Sequence, residues 1–411
     1  MTDTVSEPLD VLEIKDIYAA LQRIRPYIPH TPLQRSDALS EICHCQVYVK
    51  FENLQRTGSF KERGALNKLL ELQAPVLKRG VITASAGNHA QGLAYHGRRL
   101  GAPVHIVMPE VSPLIKIKAT QDYGAHVILY GENYDEAYQR ARELEQSEGL
   151  TFVHPFDDKA VIAGQGTIGL EILNDLHDVD AVLVAVGGGG LVAGIGCVIK
   201  NIHPQTEIIG VNTKAIPSMV EAFKHNKTVT VPKDRTIADG IAVRKVGDLC
   251  FSMAKKYIDR MVEVDDEEIA NAILTLIEHE KTVAEGAGAA AMAALLHRPL
   301  NLEGKKVAVI VCGGNINVNL IARIIDRGLI KDGRRVRLSV ILPDRPGMLA
   351  ALLTHVAKCS ANVLDVQHER SIHHIGLNDT EVSLVLETKG QSHADELLIA
   401  LKQAGFFVKA M

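Results

Sequence analysis

The sequence has no large excess of charge of either sign, and it has few cysteines for its length. Its 45 lysines and arginines and 49 aspartates and glutamates leave a formal net charge of -4. This balance excludes the strongly basic proteins that bind nucleic acid by neutralising phosphates. Six cysteines are dispersed over 411 residues rather than grouped in a disulfide framework, so we expect a reducing compartment. Cys43-His44-Cys45 has no second pair at zinc spacing and is interpreted as structural.

The sequence also lacks a convincing membrane-spanning run. Residues 181–199 carry no charge and approach the length that a bilayer requires. Six of these 19 residues are glycines, however, and four of the glycines are consecutive. A strand, a glycine turn and a helix explain the run better. The N-terminal MTDTVSEPLD is acidic and polar, unlike a secretory signal. We therefore expect a cytoplasmic protein with neither a membrane nor a nucleic acid as partner.

What the sequence does contain is a regular alternation of short β-branched runs and helical patterns. Such alternation indicates an α/β fold with a largely parallel sheet. Continuous apolar runs such as AVLVAV and VAVIV indicate strands buried on both faces. The predicted strands are 47–51, 81–84, 104–108, 127–130, 181–186, 208–211 and 307–311, and predicted helices include 135–146, 166–176 and 266–280.

The pattern changes near residue 330, after the charged segment IKDGRR. The remaining chain reads as strand, helix, two strands, helix and strand, which is a βαββαβ ferredoxin-like unit. The predicted strands are 336–342, 362–369, 381–387 and 406–408, and the first helix is 348–358. We therefore predict two domains, 1–330 and 335–411.

The stretch TGSFKERGA places a lysine, Lys61, where a helix is expected to begin. Ser59 and Glu62 have the spacing of a capping box, and leucines follow at helical spacing. Because the N-terminal end of a helix is electropositive, a cation in the first turn is disfavoured. Burial would favour the neutral amine further, and a neutral amine is what Schiff-base chemistry needs. A solvated surface lysine is the alternative that this stretch alone leaves open.

Three further unusual segments follow predicted strands, at the ends where parallel sheets bind ligands. In TASAGNHAQG, Ser85, Gly87 and Asn88 suit a strand-to-helix turn that binds a carboxylate, although a plain capped turn is an equal possibility. In AVLVAVGGGGL, four glycines suit a phosphate cradle. In VAVIVCGGNIN, Cys312 suits contact with a ring nitrogen or a plain buried position.

An amine, a phosphate cradle, an oxygen contact and a ring-nitrogen contact together match what pyridoxal 5'-phosphate requires. A nicotinamide dinucleotide is the competing cofactor, since Gly188, Gly190 and Ala193 loosely match G-x-G-x-x-A. That cofactor requires an acid at the end of the next strand. Val211-Asn212 stands there instead, so we set it aside. The spacing of the four segments does not by itself prove that they converge.

SFKERGA, SAGNHAQG, GGGGL and CGGN, in this order, resemble the motifs of the pyridoxal-phosphate β-eliminating enzymes with the tryptophan-synthase-β-like fold (fold type II). Within that fold the chain is most similar to the threonine ammonia-lyases, also called threonine dehydratases. The likeness extends from about Thr31 to about Leu329. It implies a two-lobed catalytic domain, with the smaller lobe at roughly 50–155.

The resemblance also assigns roles to individual residues. It implies that Lys61 binds the cofactor covalently, Asn88 contacts the ring oxygen and Cys312 meets the ring nitrogen. Glu285, in AEGAGAAA, would lie near the ring. The phosphate would be bound by Gly187, Gly188, Gly189, Gly190 and Leu191, and the substrate carboxylate by Ser85, Ala86, Gly87 and Asn88.

The implied reaction removes the Cα proton of L-threonine with the Lys61 amine, eliminates water and yields 2-oxobutanoate and ammonia, with L-serine as a poorer substrate. Serine racemase is the runner-up. Racemases carry a serine as second base where this chain has Ala86, and acidic metal ligands where it has Asn212 and Ser218. Alanine cannot accept a proton, so a dehydratase fits better, and we predict no metal.

The C-terminal unit resembles ACT modules, which bind amino acids. Asp344-Arg345-Pro346-Gly347 matches the first strand-to-helix turn of such modules. An effector such as isoleucine or valine is the functional interpretation, and a purely structural dimerisation domain is the alternative. A homodimer or homotetramer is expected. A role in isoleucine biosynthesis, a catabolic role, and a catalytically inactive amino-acid sensor all remain open at this point.

Overall fold

The computed structural model describes residues 12–370 and 376–410. The chain divides into two compact units, the first ending at Ile316 and the second beginning at Asn317. The sequence placed the domain boundary near residue 330, whereas the contacts group the helix Val318–Lys331 with the second unit.

The first unit contains two sheets. Its strands are β1 (Leu33–Ser36), β2 (Gln46–Phe51), β3 (Val81–Ala84), β4 (Val104–Met108), β5 (His126–Leu129), β6 (Thr151–Phe152), β7 (Ala181–Ala185), β8 (Glu207–Thr213), β9 (Arg260–Val264) and β10 (Lys306–Val311). The larger sheet has the order β1-β2-β10-β7-β8-β9, and the smaller has the order β5-β4-β3-β6. All pairs are parallel except β1 with β2. The predicted α/β class with a largely parallel sheet is confirmed.

Helices cover the faces of both sheets. They are α1 (Ile14–Ile24), α2 (Asp37–Cys43), α3 (Lys61–Glu71), α4 (Ala74–Arg79), α5 (Asn88–Leu100), α6 (Leu114–Asp122), α7 (Tyr134–Glu148), α8 (Lys159–Asp175), α9 (Gly190–Ile202), α10 (Ser218–His225), α11 (Asp248–Tyr257), α12 (Asp266–Glu280) and α13 (Gly286–His297). None of the helices in the described part of the chain is long and apolar enough to cross a bilayer.

Helix α8 begins earlier than its sequence pattern predicts. The pattern places its start at Gly166, but the helix begins at Lys159, where the Asp158 side chain accepts hydrogen bonds from the backbone N–H groups of Ala160 and Val161. Its glycines mark close packing rather than a break. A Cβ added at Gly164 would lie 2.6 Å from the Arg63 carbonyl oxygen of α3. The glycines therefore let α8 lie directly against α3.

The second unit has the predicted βαββαβ order. After α14 (Val318–Lys331) come β11 (Arg335–Pro343), α15 (Met348–Lys358), β12 (Asn362–Glu369), β13 (Asp379–Glu387), α16 (Gln391–Gln403) and β14 (Phe407–Ala410). The sheet order is β12-β13-β11-β14, and every pair is antiparallel. Inward-facing leucines and valines of β11 and β13 pack against α15 and α16 in a core of their own.

Candidate active site

Lys61 lies in the first turn of α3, as the sequence predicts, but the helix begins at Lys61 itself rather than at Ser59, and the predicted capping box is wrong. Phe60 occupies the N-cap position without a side-chain hydrogen bond. The Glu62 carboxylate instead accepts hydrogen bonds from the Arg56 backbone N–H (2.8 Å) and from Nε2 of His96 (3.0 Å). Ser59 forms an isolated bridge with Gly313. Long-range pairing, rather than a local cap, therefore begins this helix.

This pairing brings Lys61 to the C-terminal end of β10. The backbone N–H of Phe60 donates to the Cys312 carbonyl oxygen at 3.1 Å. The Lys61 Nζ donates to the Pro155 carbonyl oxygen at 2.8 Å. Burial lowers the pKa of the Lys61 amine to about 8, against the opposing influence of Cys312, Cys250 and Glu285. A substantial neutral fraction near physiological pH distinguishes this amine from a solvated lysine.

The four consecutive glycines form a turn between β7 and the first residue of α9. Gly189 has a φ of +102°, a conformation that glycine adopts without strain. A Cβ at Gly188 would lie 2.3 Å from the Phe156 ring, and one at Gly190 would lie 2.9 Å from the Phe156 carbonyl oxygen. At Gly187 it would lie 3.0 Å from the Ile241 Cα. Backbone N–H groups at a helix N-terminus, on glycines that carry no side chains of their own, fit a phosphate group.

The turn after β3 leads into α5, which begins at Asn88 with Gly87 at its N-cap. The Ser85 hydroxyl accepts a hydrogen bond from the Gly87 backbone N–H at 3.3 Å. A Cβ added at Gly87 would meet nothing within 4 Å, so the turn borders open space. Ala86 contributes no polar side chain. The turn can therefore receive a small anionic group such as a carboxylate at the start of α5.

Asn88 and Glu285 are in direct contact although they are far apart in the sequence. The Asn88 Nδ2 donates to Glu285 Oε1 at 2.6 Å, and Asn315 Nδ2 donates to Asn88 Oδ1 at 2.8 Å. Burial and the charge of Asp239 raise the pKa of the Glu285 carboxyl to about 7, although the Asn88 hydrogen bond opposes this shift. Glu285 is thus able to hold or release a proton near neutral pH.

Cys312 follows β10 and faces the start of α13. Its Sγ donates to the Ala287 carbonyl oxygen at 3.4 Å. Burial, aided by the charge of Glu285, raises the pKa of the thiol well above its ordinary value. The group is therefore a neutral thiol, able to accept or donate only a weak hydrogen bond.

A buried ionic network lies immediately beyond Lys61 and was not predicted from the sequence. The Arg63 guanidinium donates to both carboxylates of Glu52 and Glu171, at 2.6–2.8 Å. Lys50 Nζ donates to Glu171 at 2.6 Å. Burial alone would raise the pKa of Glu171, but Arg63 and Lys50 hold it below its ordinary value. The network joins β2 and α8 to the helix that carries Lys61.

Sequence reasoning also missed the segment after β6. Pro155 accepts the Lys61 hydrogen bond, and Phe156 lies under the glycine turn. Asn315 is the last residue of CGGN, and the sequence by itself gives this asparagine no role. For Asn315 the only signal in the sequence is its place in that motif, and no periodicity marks HPFDD.

The structure therefore joins Lys61 to Cys312 through backbone pairing, and Asn88 to Glu285 through their side chains. The glycine turn meets Lys61 indirectly, through Pro155 and Phe156. Within the described residues, no group of three or more histidine, cysteine, aspartate and glutamate side chains is placed to bind a metal ion.

The predicted effector residues Asp344, Arg345, Pro346 and Gly347 lie in the second unit, between β11 and α15. They line a cavity of about 270 Å³ together with His368, Arg370 and Thr380. Arg370 Nε donates to Asp344 Oδ2 at 3.0 Å. Gly347 has a φ of +90°, and it precedes the first residue of α15.

Comparison with known proteins agrees with this arrangement. Residues 24–313 match the family described as pyridoxal-phosphate dependent enzyme. An L-threonine ammonia-lyase of Thermotoga maritima is 48% identical over 97% of this chain and 99% of its own length.

Solved structures of related proteins share the fold of the first unit. Threonine deaminase isoform 2 of Solanum lycopersicum is 38% identical, with a TM-score of 0.72 over 76% of this chain and 93% of its own. Maize serine racemase is 30% identical, with a TM-score of 0.73 over 78% of this chain and 99% of its own. The chain therefore belongs to the family of pyridoxal-phosphate dependent enzymes, and within it to the threonine ammonia-lyases.

Proposed function

We propose that the protein deaminates L-threonine to 2-oxobutanoate and ammonia, and L-serine to pyruvate as a side activity. The observation that carries this proposal is a partly buried lysine amine beside a side-chain-free glycine turn at a helix N-terminus. Such an amine is suited to covalent binding of a carbonyl cofactor, and such a turn is suited to its phosphate. The relatives named above support the choice of substrate.

The fit of pyridoxal phosphate rests on four groups. Lys61 would bind it covalently, and Gly187, Gly188, Gly189, Gly190 and Leu191 would hold its phosphate. Asn88 would contact the ring oxygen, while the neutral thiol of Cys312 would meet the ring nitrogen. When bound, the cofactor supplies an electron sink for the pair left at Cα after proton removal.

The chain's own residues would then perform the remaining steps. The turn at Ser85, Ala86, Gly87 and Asn88 would orient the substrate carboxylate. The Lys61 amine would remove the Cα proton, since burial lowers its pKa to about 8 and so makes part of it neutral near physiological pH. The Cβ hydroxyl would then take up a proton and leave as water, so that the proton removed from Cα is balanced. Hydrolysis of the resulting enamine gives the 2-oxo acid and ammonia. Burial raises the pKa of the Glu285 carboxyl to about 7. This carboxyl, next to Asn88, could therefore donate or accept a proton during the reaction near neutral pH.

Racemisation is the second candidate, because maize serine racemase shares the fold. Racemisation requires a second proton acceptor on the opposite face of Cα. Ala86, in the carboxylate turn, has no such group. An experiment that separates the candidates incubates the enzyme with L-serine and follows pyruvate and D-serine together. We expect pyruvate with little D-serine, whereas D-serine as the main product would overturn the proposal.

We further propose that the second unit is an ACT-type regulatory domain that binds an amino acid. The βαββαβ order and the cavity at Asp344, Arg345, Pro346 and Gly347 support this. Calorimetric titration with isoleucine and valine tests it, with Asp344→Asn as the comparison. Saturable binding that weakens in Asp344→Asn is the expected result. If neither amino acid gives a measurable heat of binding, neither isoleucine nor valine is the effector.

We also propose that the active enzyme is a homodimer or homotetramer, and that it is cytoplasmic, as its acidic N-terminus and dispersed cysteines favour. Light scattering coupled to gel filtration measures the mass directly. A mass of two or four 44.7 kDa chains is expected, and a monomer of full activity would contradict it.

A further inference from the structure

The segment 154–158, which joins β6 to α8, contacts both the Lys61 amine and the glycine turn. Pro155 accepts the hydrogen bond of the Lys61 amine at 2.8 Å. The Phe156 ring lies where a Cβ atom at Gly188 would have to be, and the Phe156 carbonyl oxygen lies 2.9 Å from the position of a Cβ at Gly190. The Asp157 carboxylate accepts hydrogen bonds from the backbone N–H groups of Asp248 and Cys250, in the first turn of α11. The segment thus links the amine, the glycine turn and α11.

One side chain holds the shape of this segment. His154 Nδ1 lies 2.7 Å from the backbone nitrogen of Asp157 and 3.3 Å from that of Phe156. Both backbone groups are donors, so Nδ1 must be the unprotonated acceptor and the ring proton must be on Nε2. The two hydrogen bonds close a turn around Pro155, in the same way that an aspartate or asparagine side chain closes a turn on its own backbone.

The environment of the ring favours this neutral form. Burial lowers the pKa of His154 to about 4, although Asp157 and Asp158 oppose the shift, while the charges of Lys61 and Arg142 add to it. The ring also packs edge-on against Phe156, with centroids 4.6 Å apart. If only packing mattered, any aromatic residue would serve at this position. The two hydrogen bonds require in addition a hydrogen-bond acceptor at the position of Nδ1.

We propose that His154 is a positioning residue: its Nδ1 fixes the turn that presents the Pro155 carbonyl to the Lys61 amine and the Phe156 ring to the glycine turn. His154 acts through these neighbours and touches neither substrate nor cofactor itself. The inference rests on the proposed function only in that Lys61 and the glycine turn are taken as the cofactor site.

Two variants of similar size separate the acceptor from the packing. Asparagine in His154→Asn places an oxygen near the position of Nδ1, while leucine in His154→Leu offers none. The first readout is hydrogen exchange of the apoprotein in a peptide covering 154–158. The N–H of Val153, which donates to Ile82 within the smaller sheet, is the internal control. In His154→Leu the backbone N–H groups of Phe156 and Asp157 lose their acceptor, so we expect these two amides to exchange faster than in the wild type. In His154→Asn we expect them to exchange at nearly the wild-type rate.

The second readout is the affinity for pyridoxal phosphate and the visible band of the lysine-bound cofactor. His154→Leu should weaken cofactor binding about tenfold, the change expected from one or two buried hydrogen bonds, and His154→Asn should restore most of it. If His154→Leu does not fold, His154→Asn decides alone: affinity within about threefold of the wild type supports the proposal, and a loss beyond about tenfold overturns it.

Equal behaviour of the two variants, whether both normal or both impaired, would also overturn the proposal, because the acceptor would then not matter. Neither readout requires threonine. A wild-type protein that forms the cofactor band but makes no 2-oxo acid would therefore reject the proposed reaction and leave the test of His154 intact.

Discussion

The Lys61 amine lies in the first turn of α3, where burial lowers its pKa to about 8. The same burial acts in opposite directions on neighbouring groups. It raises the pKa of Glu285 to about 7 and keeps the Cys312 thiol protonated. An amine that is partly neutral, a carboxyl that is partly protonated and a neutral thiol are therefore held together without a full ion pair. The free energy needed to protonate or deprotonate Lys61 and Glu285 near neutral pH is therefore small.

One consequence concerns the pH dependence of cofactor capture. Only the neutral amine attacks the cofactor carbonyl, and an amine with a lowered pKa gains its neutral form as pH rises through about 8. The second-order rate of formation of the visible band in apoprotein should rise about tenfold per pH unit below that value and then level off. Stopped-flow absorbance measures this rate. A profile that rises as far as pH 10 without levelling would show a solvated lysine instead.

A second consequence concerns the glycine turn. Gly188→Ala would place a Cβ within 2.3 Å of the Phe156 ring, so either the turn or the ring must move. We expect loss of measurable cofactor binding in equilibrium dialysis, with the secondary structure retained. The matched double variant, Gly188→Ala with Phe156→Val, should recover part of the affinity because it makes room. Wild-type cofactor affinity in Gly188→Ala would contradict this prediction, because it would show that the turn has room for a Cβ at this position.

At the scale of elements, the site depends on how α3 is held. Helix α8 approaches α3 through Gly164, and the buried network of Arg63, Glu52, Glu171 and Lys50 joins both helices to β2. Because the network contains two cations and two anions, it is balanced only while all four are present. Breaking a buried pair leaves an uncompensated charge.

Removing one partner of the network should therefore be costly. Arg63→Met leaves Glu52 and Glu171 with Lys50 as the one remaining cation of the set, and should lower the free energy of unfolding by about 3–5 kcal/mol. Denaturant unfolding of the apoprotein measures this. Arg140→Met, at an exposed pair with Glu143, is the control and should change stability by less than about 1 kcal/mol. Equal effects at both positions would contradict the importance of the buried network.

The elements also show how far sequence reasoning extends. The strands at 81–84 and 104–108 and the helices at 266–280 and 348–358 are confirmed to the residue, because apolar runs and capping signals mark them locally. The capping box at Ser59 fails because Glu62 binds Arg56 and His96 instead. The Asn88–Glu285 contact joins residues 197 positions apart. Neither the segment around Asn88 nor the segment around Glu285 contains a local pattern that predicts this contact.

At the scale of the whole molecule, two units with separate cores divide the work proposed here. The candidate active site lies entirely before Ile316, and the cavity at Asp344 and Arg345 lies entirely after Asn317. The contacts described above for Lys61 and the glycine turn all join residues of the first unit. The residues proposed for the chemistry and those proposed for effector binding therefore lie in different units.

Removal of residues 317–411 tests that division. The shortened chain should still bind pyridoxal phosphate and form 2-oxobutanoate, because no residue of the candidate site is lost. Its response to any amino acid that changes the activity of the full chain should disappear. Activity assays with and without isoleucine and valine measure both properties. A shortened chain that folds but cannot bind the cofactor would show that the second unit completes the site.

In the proposed deamination of L-threonine, the Lys61 amine both binds the cofactor and removes the Cα proton. The most direct measurement mixes L-threonine with the pyridoxal-phosphate-loaded wild type and with Lys61→Ala, and follows 2-oxobutanoate. We expect product from the wild type only, with the visible cofactor band lost in the variant. Product formation by Lys61→Ala at the wild-type rate, or an intact band with no 2-oxo acid from the wild type, would contradict it.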